Sequence, residues 1–373
     1  MNKTTIYTIF LFSGLFFLLF GCENSRTSTS VQNLHFGKLL PPPENKIYFG
    51  AYADFGDAED GVTLAKITDF ENLAKKKIAW AYFSNQWAGG IHYPKEQIHL
   101  VYSAGKIPFI RLIPRIDNGS NEDHEDPVYK MQRFIDGAFD DELRAWARAA
   151  KEDTIPLLLD FAPEMTGFWM PWSGLNCGAG TTDGYGDPDY PDGPERYRDA
   201  YRHVIDIFRS ENVQNVTWFF HPDIQRLPDE EWNSAKYYYP GDNYIDWIGL
   251  SIYGVQFQDE AWIYFSDSLQ QYGKLIQEIT NANKPIAVLE FGVTDGRSDG
   301  TKTAWFEDAF ANIIDNPYFK ISAISYWQES WVNPDGTKTT IKIDSSPESL
   351  STFRRLIKND IFISNCTFET LKE

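Results

Sequence analysis

Cysteine is scarce, with three residues in 373, at positions 22, 177 and 366. Two thiols cannot staple a body of this length, and the sequence leaves open whether Cys177 and Cys366 pair. Histidine is scarce as well. Its six copies are scattered, without an HExxH run or paired spacing, so neither a catalytic metal nor any other cofactor is expected. Basic charge is in deficit: 34 Lys and Arg face 53 Asp and Glu, a net charge of −19. That excludes nucleic acid, which needs a basic footprint, and argues against anionic polymers such as alginate or pectate. A neutral substrate is compatible with it. No GxGxxG or GxxxxGK[ST] loop occurs, which removes the common dinucleotide and nucleotide sheets. No internal repeat of short period is present.

The N-terminal apolar run, Ile6–Phe20, is 15 residues long, short of the roughly 20 that a membrane span needs. It follows the basic Lys3 and precedes Gly21-Cys22, so residues 1–22 read as a signal peptide. A cysteine directly after such a run resembles a bacterial lipobox. Cleavage there would leave a lipidated Cys22 and an exported chain fixed to the cell envelope, at the outer membrane or cell surface. Residues 23–46 are polar, then proline-rich, and read as a tether.

What is abundant is aromatic: 12 Trp, 20 Tyr and 27 Phe, 16% of the chain. Most such rings belong to a core, yet flat rings also suit the C–H faces of sugars. Short β-rich apolar runs alternate with helix-period stretches. The strand runs are Ile47–Ala53, Ile78–Ser84, Ile107–Leu112, Ile155–Phe161, Asn215–His221, Ile245–Tyr253, Pro285–Phe291 and Ile321–Trp327. Continuous apolar runs such as LLLDF and IAVLEF suit buried parallel strands. Helix stripes start at Leu64, Tyr197, Trp262 and Phe306, and the stretch Pro228–Tyr239 between the fifth and sixth runs is the weakest. Eight alternations predict an α/β fold: one (β/α)8 TIM barrel over residues 47–373, expected to be monomeric. Long polar inserts, Pro114–Pro127 and Trp172–Gly193, then fall on the C-terminal face, where such barrels build their sites.

Two acids fall at strand ends on that face. Glu164 follows the fourth run and Glu290 ends the seventh. A glutamate inside an apolar strand needs a partner or a task, and glycoside hydrolysis needs two carboxyls at one acetal. The runs APEMTGFWMPWSG, PIAVLEFG, YYPGDNYIDWIGLSIYG and IPFIRLIPRI resemble glycoside hydrolase family 26, over about Ile47 to Trp331. The resemblance implies a retaining, endo-acting enzyme on a neutral β-linked polysaccharide, with Glu164 as acid/base and Glu290 as nucleophile. It ranks β-1,4-mannan first, with mixed-linkage β-glucan and β-1,3-xylan as alternatives. Pro163 and Thr166 stand where the mannanases of that family have His and Asn. Tyr253 would donate to the nucleophile and Trp327 would floor the reacting sugar's subsite. Trp169, Trp172, Trp87, His221 and Arg111 are further candidates for the cleft. Asp183, Asp187, Asp189 and Asp192 lack the calcium-loop spacing and read as a solvated loop. A glycan-binding lipoprotein without activity, and a transglycosylase on the same site, are the competing classes.

Overall fold

The chain is described here from a computed structural model, over residues 35–116, 126–257, 259–280, 282–333 and 336–371. Residues 35–373 form one unit. The signal segment and Cys22 lie outside the described residues. Among those residues, no helix is long and apolar enough to cross a membrane.

Strands alternate with helices as β1 (His35–Leu39), β2 (Ile47–Tyr52), α1 (Leu64–Ala74), β3 (Trp80–Gln86), α2 (Lys95–Ser103), β4 (Ile107–Ile113), α3 (Met131–Ile135), α4 (Asp140–Asp153) and β5 (Leu157–Phe161). There follow α5 (Asp192–Ser210), β6 (Val216–Phe220), β7 (Trp247–Tyr253), α6 (Phe265–Ile279), β8 (Ile286–Gly292), α7 (Lys302–Ile314) and β9 (Ile321–Trp327). A hairpin of β10 (Ser330–Val332) and β11 (Lys338–Thr340), then α8 (Pro347–Ile357), β12 (Phe362–Ile363) and β13 (Phe368–Leu371) complete the chain.

β2 to β9 are parallel neighbours in sequence order, and β2 pairs with β9 from Tyr48↔Ala323 to Tyr52↔Trp327. The sheet is thus closed into an eight-stranded barrel, the TIM architecture that the alternation predicts. All eight strand runs are occupied by strands. Closure follows from composition: each strand is buried on both faces, and only a sheet wrapped on itself and covered by helices offers that environment. α1 and α7 begin at Thr63 and Thr301, whose hydroxyls accept the Lys66 and Ala304 amides, the usual capping chemistry.

Three differences from the sequence reading have physical causes. First, the expected tether is ordered from His35 onward. β1 pairs antiparallel with β13, and Leu39 is fixed where its amide meets Thr217 and its carbonyl meets Trp247. Thr217 and Trp247 lie in the first two residues of β6 and β7, so this two-stranded patch closes the N-terminal end of the barrel. Five residues paired to the far end of the chain leave no local signal. Second, the weak stretch between β6 and β7 holds only two 3-10 turns, Glu231–Asn233 and Ala235–Tyr237, where a helix would complete the alternation. Third, α6 starts at Phe265, leaving Trp262 in the preceding loop. Cys177 and Cys366 do not pair with each other. One lies beyond β5 on the C-terminal face and the other between β12 and β13 at the opposite end.

Candidate active site

Glu164 is placed by strain. After β5 the chain turns through Ala162 (φ 52°) and Glu164 (φ 57°), two non-glycine residues in the left-handed region. Such conformations cost on the order of 1–3 kcal/mol each and persist only where neighbours enforce them. Here the neighbours are on both sides. The Ala162 amide donates to Leu112 O of β4 at 3.0 Å, and the Glu164 amide to His221 O beyond β6 at 2.8 Å. Trp172 Nε1 donates to the Pro163 carbonyl between them at 2.7 Å. The turn aims the Glu164 carboxyl across the top of the barrel.

Glu290 comes from β8, where the ladder to β7 slips: Leu250 faces Val288, but Ser251 faces Glu290. One oxygen of Glu164 and one of Glu290 lie within 4.8 Å of each other. The acids from β5 and β8 therefore converge. Glu164 is 8% exposed and Glu290 4%, so both stand at the floor of the face rather than on its rim.

The two carboxyls have different surroundings. Tyr253 donates to Glu290 Oε2 at 2.9 Å, as the sequence expects of it. Glu290 Oε1 is buried and accepts no hydrogen bond among the described residues. Arg111 Nε stands 3.7 Å from it, while Arg111 Nη1 donates to Glu59 Oε2 at 2.8 Å. Burial pushes the Glu290 carboxyl well above the usual carboxylate range. Arg111 opposes that shift, Glu164 and Glu59 add to it, and the Tyr253 hydrogen bond pulls it back. Glu164 receives Ser251 Oγ on Oε1 at 2.6 Å and Trp169 Nε1 on Oε2 at 3.3 Å.

The remaining candidates divide. Trp327 stacks on Tyr52 (4.0 Å between centroids, 12° between planes) and lies 5.1 Å from the Arg111 guanidinium. Its Nε1 donates to Glu329 at 2.7 Å. Burial raises Glu329 to about 7, with Glu59 and Asp54 adding to the shift. His221 is buried with both nitrogens engaged, Nδ1 by Asp160 and Nε2 by Ser251. The sequence places Trp87 and Trp172 in the cleft; the structure corrects both. Trp87 packs among Tyr129, Phe134 and Phe161, and Trp172 braces the strained turn, so neither ring offers a face to a sugar. The aspartate-rich loop is not a gathered acidic cluster: buried Asp192 opens α5 and accepts the Thr181 hydroxyl and the Gly184 amide at 2.7 and 2.9 Å.

Sequence reasoning passed over Asp160, Ser251, Glu59 and Tyr82. Asp160 carried the same signal as Glu290, an acid inside an apolar strand. Ser251 lies two residues before Tyr253 and so shares its face of β7. Glu59 had no signal, being one of several acids after β2. Glu164, His221 and Glu290 form the one cluster among the described residues whose donor atoms could reach a single cation. The imidazole is committed to its two neighbours, which leaves the pair of acids as the chemistry on offer. Two surface depressions of about 520 and 360 Å³ lie elsewhere, between α7 and α8 and beside the N-terminal ends of β2 and β9. The acids stand apart from both. Exposed apolar residues also follow barrel strands on the side where the acids emerge: Phe168, Leu227 and Phe257 after β5, β6 and β7, and Val332 in β10 after β9.

Comparison with known proteins gives one family. The profile of glycosyl hydrolase family 26 matches residues 123–335. Endoglucanase H of Acetivibrio thermocellus is 26% identical over 297 residues, covering 78% of this chain. The match spans 29% of that relative's own length. Among solved structures, a modular endo-β-1,4-mannanase from Cellulomonas fimi superposes with a TM-score of 0.57 at 20% identity, covering 85% of this chain and 72% of the other. A β-mannanase from Bacteroides ovatus gives 0.56 at 19%, covering 86% and 90%. At these identities the likeness is one of fold.

Proposed function

The chain belongs to glycosyl hydrolase family 26, and from that premise we propose that it is an endo-acting β-glycoside hydrolase working with retention through Glu290 and Glu164. The observation that carries this reading is the convergence of the two acids, with one oxygen of each within 4.8 Å of the other. Retaining glycosidases hold theirs about 5–5.5 Å apart, whereas inverting enzymes leave about 6.5–9.5 Å for a water.

Glu290 is the nucleophile. Tyr253 holds Oε2, and the unencumbered Oε1 attacks the anomeric carbon. The glycosidic C–O bond breaks as the ester to Glu290 forms, and Glu164 passes its proton to the departing oxygen. Esterification removes the charge of Glu290. Glu164, now a carboxylate, takes a proton from water, whose oxygen bonds to the anomeric carbon and releases Glu290. The exposed apolar side chains that follow β5, β6, β7 and β9 on the acids' end of the barrel suit an open face that a polymer can cross, hence cutting within the chain. The net charge of −19 argues against an anionic polymer and is compatible with a neutral one.

We place β-1,4-mannan first, by likeness to the mannanases above. Mixed-linkage β-glucan is second, favoured by the relative named as an endoglucanase. A panel of β-mannan, mixed-linkage β-glucan, β-1,3-xylan and xyloglucan, scored by reducing ends and product length, tests the choice. Glu290→Ala should release no reducing ends from any polymer that the parent cleaves; unchanged release would remove Glu290 from the mechanism. If the parent cleaves none and only binds, the reading as a glycan-binding lipoprotein stands instead. We also propose that the chain is exported and held at the cell envelope by a lipid on Cys22. The apolar run before that cysteine supports this, as does the position of His35 on the barrel end remote from Glu164 and Glu290.

A further inference from the structure

Behind Glu164 three polar side chains stand in one unbroken line. Asp160 Oδ2 lies 2.9 Å from His221 Nδ1, His221 Nε2 lies 2.9 Å from Ser251 Oγ, and Ser251 Oγ lies 2.6 Å from Glu164 Oε1. Asp160, His221 and Ser251 are at most 1% exposed, so solvent does not reach them. The line is braced at both ends. Tyr82 donates to Asp160 Oδ2 at 2.8 Å, and Tyr272 donates to the Ser251 carbonyl. It crosses three adjacent strands, β5, the end of β6 and β7, and so depends on closure of the barrel rather than on any one loop.

Donor and acceptor rules restrict its hydrogens. A carboxylate oxygen 2.9 Å from Nδ1 requires a proton on that nitrogen. Ser251 has one proton and two neighbours. In one order it donates to His221 Nε2 and accepts from the protonated Glu164. In the other it accepts from the Nε2–H of an imidazolium and donates to the Glu164 carboxylate. Both orders hold the same number of protons. They interconvert when the Glu164 O–H gives way to a Ser251 O–H and the old Ser251 O–H gives way to His221 Nε2–H.

We propose that Ser251 and His221, backed by Asp160, are positioning residues for the acid/base: they fix the Glu164 carboxyl and share its proton through a buried relay. The inference rests on the assignment of Glu164 as acid/base. Other ionisable groups packed against the line are Glu290, Asp223, Arg111, Tyr82, Tyr253 and Tyr272, with Tyr197 and Tyr201 facing Asp160 from α5. Burial pushes the five phenols well up, so they stay neutral donors and do not compete as proton carriers. Glu164 adds to the upward shift of both Asp223 and Glu290; Asp223 lies beside Ser251 through its backbone, and neither carboxyl hydrogen-bonds to the line among the described residues.

The test uses pairs of aryl glycosides of mannobiose and cellobiose. A phenyl leaving group needs the acid's proton; a dinitrophenyl group leaves without it. Ser251→Ala and His221→Gln are compared with the parent and with Glu164→Ala, and thermal unfolding is followed in each. Both relay variants should lose about tenfold or more in kcat/KM on the phenyl glycoside and the polymer, and stay within about threefold on the dinitrophenyl glycoside. They should also show a displaced pH–rate profile on the phenyl glycoside alone. Equal losses on both glycosides would mark a merely structural role and overturn the relay. Full activity on the phenyl glycoside would overturn it too, while leaving Glu164 in place. Absence of any leaving-group dependence in Glu164→Ala would instead remove the acid/base assignment, and the relay with it.

Discussion

Arg111 sits between two carboxylates, bonded to Glu59 and 3.7 Å from the unpartnered oxygen of Glu290. In the proposed mechanism its cation is what makes a buried nucleophile usable, because burial alone favours the neutral acid. Glu290 must be ionised to attack, so activity rises with pH as its proton leaves. Its pKa lies above the usual carboxylate range, and the acidic limb of the profile should lie there as well. Arg111→Met takes away the group that lowers it. The limb should therefore move to higher pH, by about one unit or more, when kcat/KM is followed on a dinitrophenyl glycoside. A limb that stays or moves down would show that Arg111 does not act on Glu290. At this scale the acids and Tyr253 were legible, because a charge or a phenol at the end of an apolar strand has few structural reasons to be there. Trp87 and Trp172 were not. A tryptophan beside a site has the same letters whether its ring faces the cleft or the core, and here packing claimed both.

The eight barrel strands were the most legible elements, since each is a short apolar run bounded by turns and buried on both faces. The elements that escaped are those whose partners are remote in sequence: β1 with β13, and the 3-10 turns that replace a helix before β7. Lys302 shows how one remote contact fixes an element. It opens α7, and its buried ammonium donates to the carbonyls of Thr340, Ile341 and Lys342 at 2.7–2.8 Å and to Ser345 Oγ at 3.1 Å. The segment after the β10–β11 hairpin is thereby tied to the helix that follows the strand of Glu290. Burial lowers the pKa of this lysine to about 7, against the pull of Asp295 and Asp344. Lys302→Met leaves three carbonyls without their donor. It should cost about 2–4 kcal/mol in urea unfolding, at 1–3 kcal/mol for each unsatisfied group with partial relief by water. A change below about 0.5 kcal/mol, the range of an ordinary surface substitution, would show that the clamp is dispensable.

For the whole molecule, charge and the N-terminal segment bear on where it works. β1 is held on the barrel end away from the acids by Thr217, Trp247 and the Lys38–Asp246 ion pair. The lipid proposed on Cys22 predicts a membrane-bound protein. Cys22→Ser should move the protein from the membrane fraction to the soluble one with its activity per molecule unchanged; equal membrane recovery would contradict the anchor. The family and the barrel were legible from the sequence because the motifs sit at strand ends that the fold itself dictates. The sugar was not, since the groups that select it come from loops and from how they lie across the acids.

The stereochemistry of cleavage bears most directly on the two-glutamate mechanism. Proton NMR of the first products from the best polymer or oligosaccharide separates the newly formed anomer from its later equilibration. Acids within 4.8 Å should deliver the β-anomer first, through a glycosyl ester on Glu290. The α-anomer appearing first would mean direct attack by water, and Glu290 would not be a nucleophile.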